Sequence, residues 1–199
     1  MARPRTFDED RALEAAMRTF WANGYEGTST QDLCDATGLG RSSIYNTFNS
    51  KHELFKRALA RYIDVMTTAQ IELLEDAERP PLERIRAYFE GVIDGEIENR
   101  PGGRSLGCLT VNTTVELGGR DPEAGAMLER DLARRIAALR ATIQEGQRHG
   151  EIASTRDADA LARFINALIG GLRVSAQGGA DRAVLESIAA TALDALTAH

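Results

Sequence analysis

Apolar residues recur at helical spacing along nearly the whole chain, and no run reads convincingly as a strand. Leu13, Met17, Phe20 and Trp21 mark a first helix that Asp8 caps and Asn23-Gly24 ends. Thr28-Ser29-Thr30 supplies capping hydroxyls for a short second helix over roughly residues 30–36. Thr37-Gly38-Leu39-Gly40 reads as a turn, because glycine takes backbone angles that other residues resist. A third short helix, from Arg41 to Phe48, buries Ile44 and Phe48 before Asn49-Ser50 breaks and recaps the chain. The fourth starts near Lys51, carries Leu54, Phe55, Ala58, Leu59, Tyr62, Ile63 and Met66 on one side, and ends before Pro80-Pro81. Five more helices follow, at about 82–99, 106–117, 121–149, 157–176 and 181–197. Pro122 sits well in the first turn of the third of these five. The pattern predicts an all-α fold of nine helices: a small head over residues 1–50 and a larger body over 51–199, with residues 51–79 as the connecting helix.

Composition agrees. Alanine, leucine, glutamate and arginine dominate, and 199 residues bury a sizeable core without disulfides or a metal staple. No stretch approaches the roughly 18–20 apolar residues of a membrane helix, and the basic N-terminus lacks the apolar core of a secretory signal. A cytoplasmic protein is expected. Cys34 and Cys108 lie far apart and form no ligand pattern, so neither a metal nor a cofactor is expected.

The net charge of −6 changes the picture only once it is divided. Residues 1–60 hold eight Lys/Arg and eight Asp/Glu, which leaves 16 basic against 22 acidic residues beyond them. A neutral head on an acidic body excludes a polycation that coats nucleic acid or membrane. It is compatible with a head whose basic side chains share one face.

A helix, a glycine-bearing turn and a short helix within about twenty residues make a helix-turn-helix. The second helix of such a unit enters the major groove by its N-terminal end, where short polar side chains are needed. Arg41-Ser42-Ser43 supplies them, with Arg41 suited to a guanine edge or a phosphate. Tyr45 and Asn46 come next on the exposed side, and Lys51 opens the following helix.

The run from Gly27-Thr28-Ser29-Thr30 through Leu33-Cys34-Asp35-Ala36-Thr37-Gly38-Leu39-Gly40-Arg41-Ser42-Ser43-Ile44-Tyr45-Asn46-Thr47-Phe48-Asn49-Ser50-Lys51, preceded by Phe20-Trp21-Ala22-Asn23-Gly24-Tyr25, resembles the N-terminal signature of the tetracycline-repressor (TetR) family. The close match spans about residues 8–57, and the nine-helix plan extends it to the whole chain. The resemblance implies a homodimeric transcriptional regulator, most often a repressor, that binds a palindromic operator and leaves it when a small organic inducer enters the body. It also implies that the inducer moves the fourth helix and so spoils the spacing of the two heads. Carried onto this sequence, it implies DNA contacts by Thr28, Thr30, Arg41, Ser42, Ser43, Tyr45, Asn46 and Lys51. The basic stretch Ala2-Arg3-Pro4-Arg5-Thr6 is read either as an arm on DNA or as a solvated terminus.

In the body, the last two helices carry wide apolar stripes: Leu161, Phe164, Ile165, Leu168, Ile169 and Leu172 on one, Val184, Leu185, Ile188, Leu193 and Leu196 on the other. Gly170-Gly171 allows a close backbone approach or a bend. The family resemblance assigns these two helices to the dimer interface. The segment from Leu106 to Leu117 sets a thiol, hydroxyls and Asn112 among apolar residues, a mixture suited to a small-molecule pocket. Pocket candidates are Met66, Phe89, Ile93, Cys108, Val111, Asn112, Val115, Met127 and Phe164. Gly107-Cys108-Leu109 is similar to a TetR subgroup in which this cysteine senses electrophiles in some members; a buried, inert thiol is the other reading.

Two rival classes remain. An enzyme finds no Ser/His/Asp set, metal-binding spacing or phosphate loop here, and His52, His149 and His199 are scattered. His52 reads as a solvated helix residue or a minor phosphate contact. A ligand-binding helical protein that has lost its operator is the alternative, but Arg41, Ser42, Ser43 and Lys51 keep DNA-facing types.

Overall fold

The computed structural model describes residues 5–100 and 103–197. Among them are nine α-helices and no strand: α1 Arg5–Asn23, α2 Thr30–Thr37, α3 Arg41–Phe48, α4 Lys51–Glu75, α5 Pro81–Glu98, α6 Leu109–Leu117, α7 Pro122–His149, α8 Ala158–Gln177 and α9 Arg182–Thr197. None of them is long and apolar enough to cross a membrane. Residues 2–4 of the basic stretch, and His199, lie outside the described residues; Arg5 and Thr6 stand in the first turn of α1.

The contacts divide the chain into two compact units. One runs up to Val65 and includes Cys108–Leu128; the other is Met66–Gly107 with the residues from Glu129 onward. In the first unit, α1 packs on α2 and on α6, and α2 packs on α3. Leu13, Phe20, Leu33, Ile44, Phe48, Leu54, Phe55, Leu59 and Tyr62 form its buried interior. Phe20 meets Phe55 edge-on at 5.2 Å, and Trp21 meets Tyr62 at 5.0 Å.

The short helices rely on their caps, since eight residues give few internal bonds. Ser29 caps α2: its Oγ accepts from the Asp32 N–H, and Asp32 in turn accepts from the Ser29 N–H. The hydrogen bonds from Ser29 hold the Asp32 carboxyl below its ordinary range. At the other end Gly38 takes φ +70, and its N–H closes on the Cys34 carbonyl. Ser29→Ala removes the acceptor and should cost about 1 kcal/mol of stability, measured by urea unfolding; an unchanged midpoint counts against the box as a determinant of the turn.

In the second unit, α5, α8 and α9 pack together. Ile85, Phe89, Ile93, Leu139, Ile143, Leu161, Ile165, Leu172 and Leu185 are buried in one cluster. The α8 stripe divides: Leu161, Ile165, Ile169 and Leu172 face in, whereas Phe164 is 42% exposed. Of the two uses expected for Gly170-Gly171, a close approach or a bend, the first is not made among the described residues, because a Cβ at either would meet nothing within 4 Å. α6 begins three residues later than its sequence pattern predicts. Gly107 takes φ +67 with the Gln177 side chain where a Cβ would stand, and Gln177 Nε2 donates to the Leu106 carbonyl at 2.8 Å. Cys108 therefore becomes the N-cap of α6.

Candidate nucleic-acid interface

The face around α3 follows from its helical phase. Ile44 and Phe48, four residues apart, are each 1% exposed and fix the helix to the interior of the first unit. Arg41, Ser42, Ser43, Asn46 and Thr47 are thereby left exposed on the other side. Gly40 gives α3 an N-cap without a side chain, so nothing bulky shields the Arg41-Ser42-Ser43 end.

Tyr45 is half-buried and joins two helices. Its hydroxyl lies 3.3 Å from the Thr30 Oγ1, and the Arg41 guanidinium lies over its ring, 5.8 Å from the centroid. The Thr30 hydroxyl, and then Arg41, hold the phenol below its ordinary pKa. Lys51 Nζ stands 4.4 Å from the centroid of Tyr25, a cation–π distance. The structure thus joins Thr30, Arg41 and Tyr45 in one contact network, with Ser42, Ser43 and Asn46 exposed on the same short helix.

Thr28 is different. The resemblance implied a DNA contact, but this side chain is fully buried and its hydroxyl donates to the Gly24 carbonyl at 2.6 Å. It closes the turn and presents nothing outward.

His52 also departs from its expected solvated position. It is half-buried and pairs through Nε2 with Asp121 Oδ2 at 2.5 Å. Asp121 also caps α7, accepting from the Glu123 and Ala124 N–H groups at 3.0 Å. Burial opposes the charge on Asp121, but these bonds and His52 outweigh it and hold the carboxyl below its ordinary range. His52, Glu53 and Glu123 bring potential metal-ligand atoms within 4.8 Å of one another. Lys56 Nζ already sits between the two glutamates, 2.6 Å from Glu53 and 2.9 Å from Glu123, and supplies the cation there.

The pocket candidates fall in both units. In the first, Cys108 is 5% exposed and its Sγ lies 3.4 Å from the Tyr62 hydroxyl and 3.0 Å from Thr110 Oγ1. Val111, Asn112 and Met127 are half-buried. Val115 is 84% exposed: α6 buries Leu109, Thr110, Thr113 and Leu117, and Val115 points the other way. In the second unit, Phe89 and Ile93 belong to the core, Met66 is half-buried, and Phe164 faces outward. Val115 and Phe164 thus face away from the buried interior of the described residues.

Glu116 joins the site without any signal in the sequence. Its carboxylate accepts from the Tyr25 N–H at 2.9 Å and the Glu26 N–H at 2.7 Å, some ninety residues earlier in the chain. No local pattern announces such a pairing.

The family model described as bacterial regulatory proteins, tetR family, matches residues 12–58, and that for the tetracyclin repressor-like C-terminal domain matches residues 81–192. The chain belongs to the TetR family. Among TetR-family relatives, the HTH-type transcriptional repressor ComR of Escherichia coli is 33% identical over 192 residues, which is 96% of this chain and 90% of ComR. The HTH-type transcriptional repressor DhaR of a Mycobacterium species is 29% identical over 164 residues, covering 81% of this chain and 78% of DhaR. A cysteine-substituted TetR family regulator, CifR, solved in complex with 26-base-pair operator DNA, aligns with a TM-score of 0.79 and 30% identity, over 98% of this chain and 100% of CifR. These relatives are transcriptional regulators.

Proposed function

We propose that this TetR-family protein is a repressor that binds a palindromic operator as a homodimer and is released by a small organic inducer. The observation that carries the reading is the exposed row Arg41, Ser42, Ser43 and Asn46 on a helix anchored from behind by Ile44 and Phe48. Arg41 reads a guanine edge or clamps a phosphate, the serines admit the helix into the groove, and Thr30, Tyr45 and Lys51 contact the backbone. Residues 1–50 form the DNA-binding domain, and residues 51–199 serve ligand binding and dimerisation, with 51–79 as the connecting stretch.

Two half-sites need two heads. The exposed face of α8 carries Phe164, Ala167, Gly171 and Val174, and that of α9 carries Val184, Thr191 and Ala195. Both rows repeat at helical spacing and are mainly apolar, with Arg163 beside the first and Glu186 and Asp194 beside the second, a pattern that suits an apolar centre with a charged rim in a symmetric four-helix interface. The open space over Gly170 and Gly171 suits the approach of a second backbone there.

For the inducer, α6 offers Cys108, Val111 and Asn112, with buried hydroxyls at Thr110 and Thr113. The burial of Cys108 favours a lining role over that of an electrophile sensor. An inducer that displaces α4 and prefers the released form by a few kcal/mol shifts the population decisively.

Binding of the purified protein to its own upstream intergenic DNA, titrated from about 50 to about 200 mM salt, tests the reading. Sequence-selective binding is expected, with log affinity falling by roughly 0.9 per phosphate contact for each log unit of salt. One member of a panel of lipophiles and electrophiles should abolish it, in wild type and in Cys108→Ser alike. A folded dimer that selects no sequence, even from genomic fragments, would sink the proposal.

A further inference from the structure

The turn between α1 and α2 is held by a carboxylate from a distant part of the chain. α1 ends at Asn23, Gly24 turns the backbone left-handed at φ +75, and Tyr25 and Glu26 follow. Successive N–H groups behind such a residue converge into a concavity that binds anions. Here the anion is Glu116, with one carboxylate oxygen on each N–H. A Cβ on Gly24 would stand 2.9 Å from Glu116 Oε2, so the glycine provides both the φ angle and the room for the carboxylate.

This turn leads directly into the DNA-reading elements. Thr28 bonds back to Gly24, Ser29 caps α2, and Thr30 meets the hydroxyl of Tyr45 on α3. The Tyr25 ring lies under Lys51. The segment that Glu116 grips is therefore connected to Thr30 and Tyr45 through the α2 cap, and to Lys51 through a ring. Five residues on, Asp121 grips His52 beside Lys51.

We infer that Glu116 is a positioning residue for operator binding: its carboxylate clasps the Tyr25–Glu26 turn and fixes the placement of α2 and Lys51 without itself touching DNA. The inference rests on the operator reading above.

Amide exchange by NMR on the intact free protein reads the clasp without DNA. Glu116→Ala should accelerate exchange at the Tyr25 and Glu26 amides by roughly tenfold or more, with core amides such as that of Leu59 unchanged. Operator affinity in the same variant should fall by roughly tenfold, the order expected for losing two charge-assisted bonds. Glu116→Gln, which keeps a single carbonyl acceptor, should fall between, and its slope of affinity against salt should equal that of wild type because no phosphate contact is lost. Unchanged exchange at both amides in Glu116→Ala overturns the clasp. Accelerated exchange with operator affinity within twofold of wild type overturns the positioning role. If wild type binds no operator while the exchange response persists, the operator reading falls, the positioning role falls with it, and the clasp alone stands.

Discussion

Arg41→Ala is expected to weaken operator binding by roughly 10- to 100-fold, the loss that accompanies removal of one good bidentate contact. The side chain starts α3, is exposed, and has its guanidinium laid over Tyr45, whose own hydroxyl is fixed by Thr30. A guanidinium held at cation–π distance from this ring is partly oriented before DNA arrives, so less freedom is lost on binding. Arg41→Lys separates the two uses of the charge. Lysine keeps a point charge for phosphate but has neither the fork nor the stacking plane. If Arg41 reads a base, Lys should bind nearly as poorly as Ala, and preference at one operator position should relax. If it clamps a phosphate, Lys should recover most of the affinity, and Ala should lower the salt slope by about 0.9. Titrations of both variants against wild-type and single-substituted operators measure the difference. Full affinity in Arg41→Ala would remove α3 from the interface.

How much of this site the sequence discloses depends on the range of the interactions. The head is legible because its signals are local: Ser29 and Asp32 cap α2 within four residues, Gly38 closes it, and Ile44 and Phe48 set the phase of α3. Thr28 misleads because a hydroxyl in a turn reads as exposed, whereas here a bond to Gly24 satisfies it and permits full burial. On α6 the apolar pair Val111 and Val115 suggests the inner face. The face that is actually buried carries Leu109, Thr110, Thr113 and Leu117, so two threonines turn inward where the valines were expected. Glu116, Asp121 and the buried pairs of the body are illegible for a simpler reason. Their partners lie about seventy to ninety residues away, and no periodicity links them.

The largest stability effect is expected at one such pair in the second unit. Glu96 on α5 is 3% exposed; Arg173 of α8 donates to its Oε1 at 3.3 Å, and Ser105 donates to its Oε2. Ser105 also accepts from the Gly107 N–H at 2.9 Å, so the carboxylate helps hold the stretch before α6 against α8. Glu96→Ala removes the carboxylate partner of a buried guanidinium and should cost about 3–5 kcal/mol, lowering Tm by on the order of 10 °C. The pKa direction refines this. Burial pushes the Glu96 carboxyl up, against the pull of Ser105, Arg173 and Arg100, so the charged form is held less well here than in water. With a folded pKa above the unfolded one, the folded state takes up the proton first. The resulting stabilisation is complete below the ordinary glutamate value of 4.5 and is lost as pH rises through the folded value. Glu96→Gln imitates the protonated form: it keeps one oxygen for Arg173, and its NH2 group stands where Oε2 was and donates to the Ser105 hydroxyl in place of accepting from it. It should therefore stay within about 1 kcal/mol of wild type at neutral pH and abolish this share of the pH dependence. Urea unfolding of wild type, Gln and Ala across that window reads both effects. If Gln costs as much as Ala, attraction between the charges outweighs desolvation at Glu96, and the pair holds α5 to α8 by charge rather than by hydrogen-bond geometry.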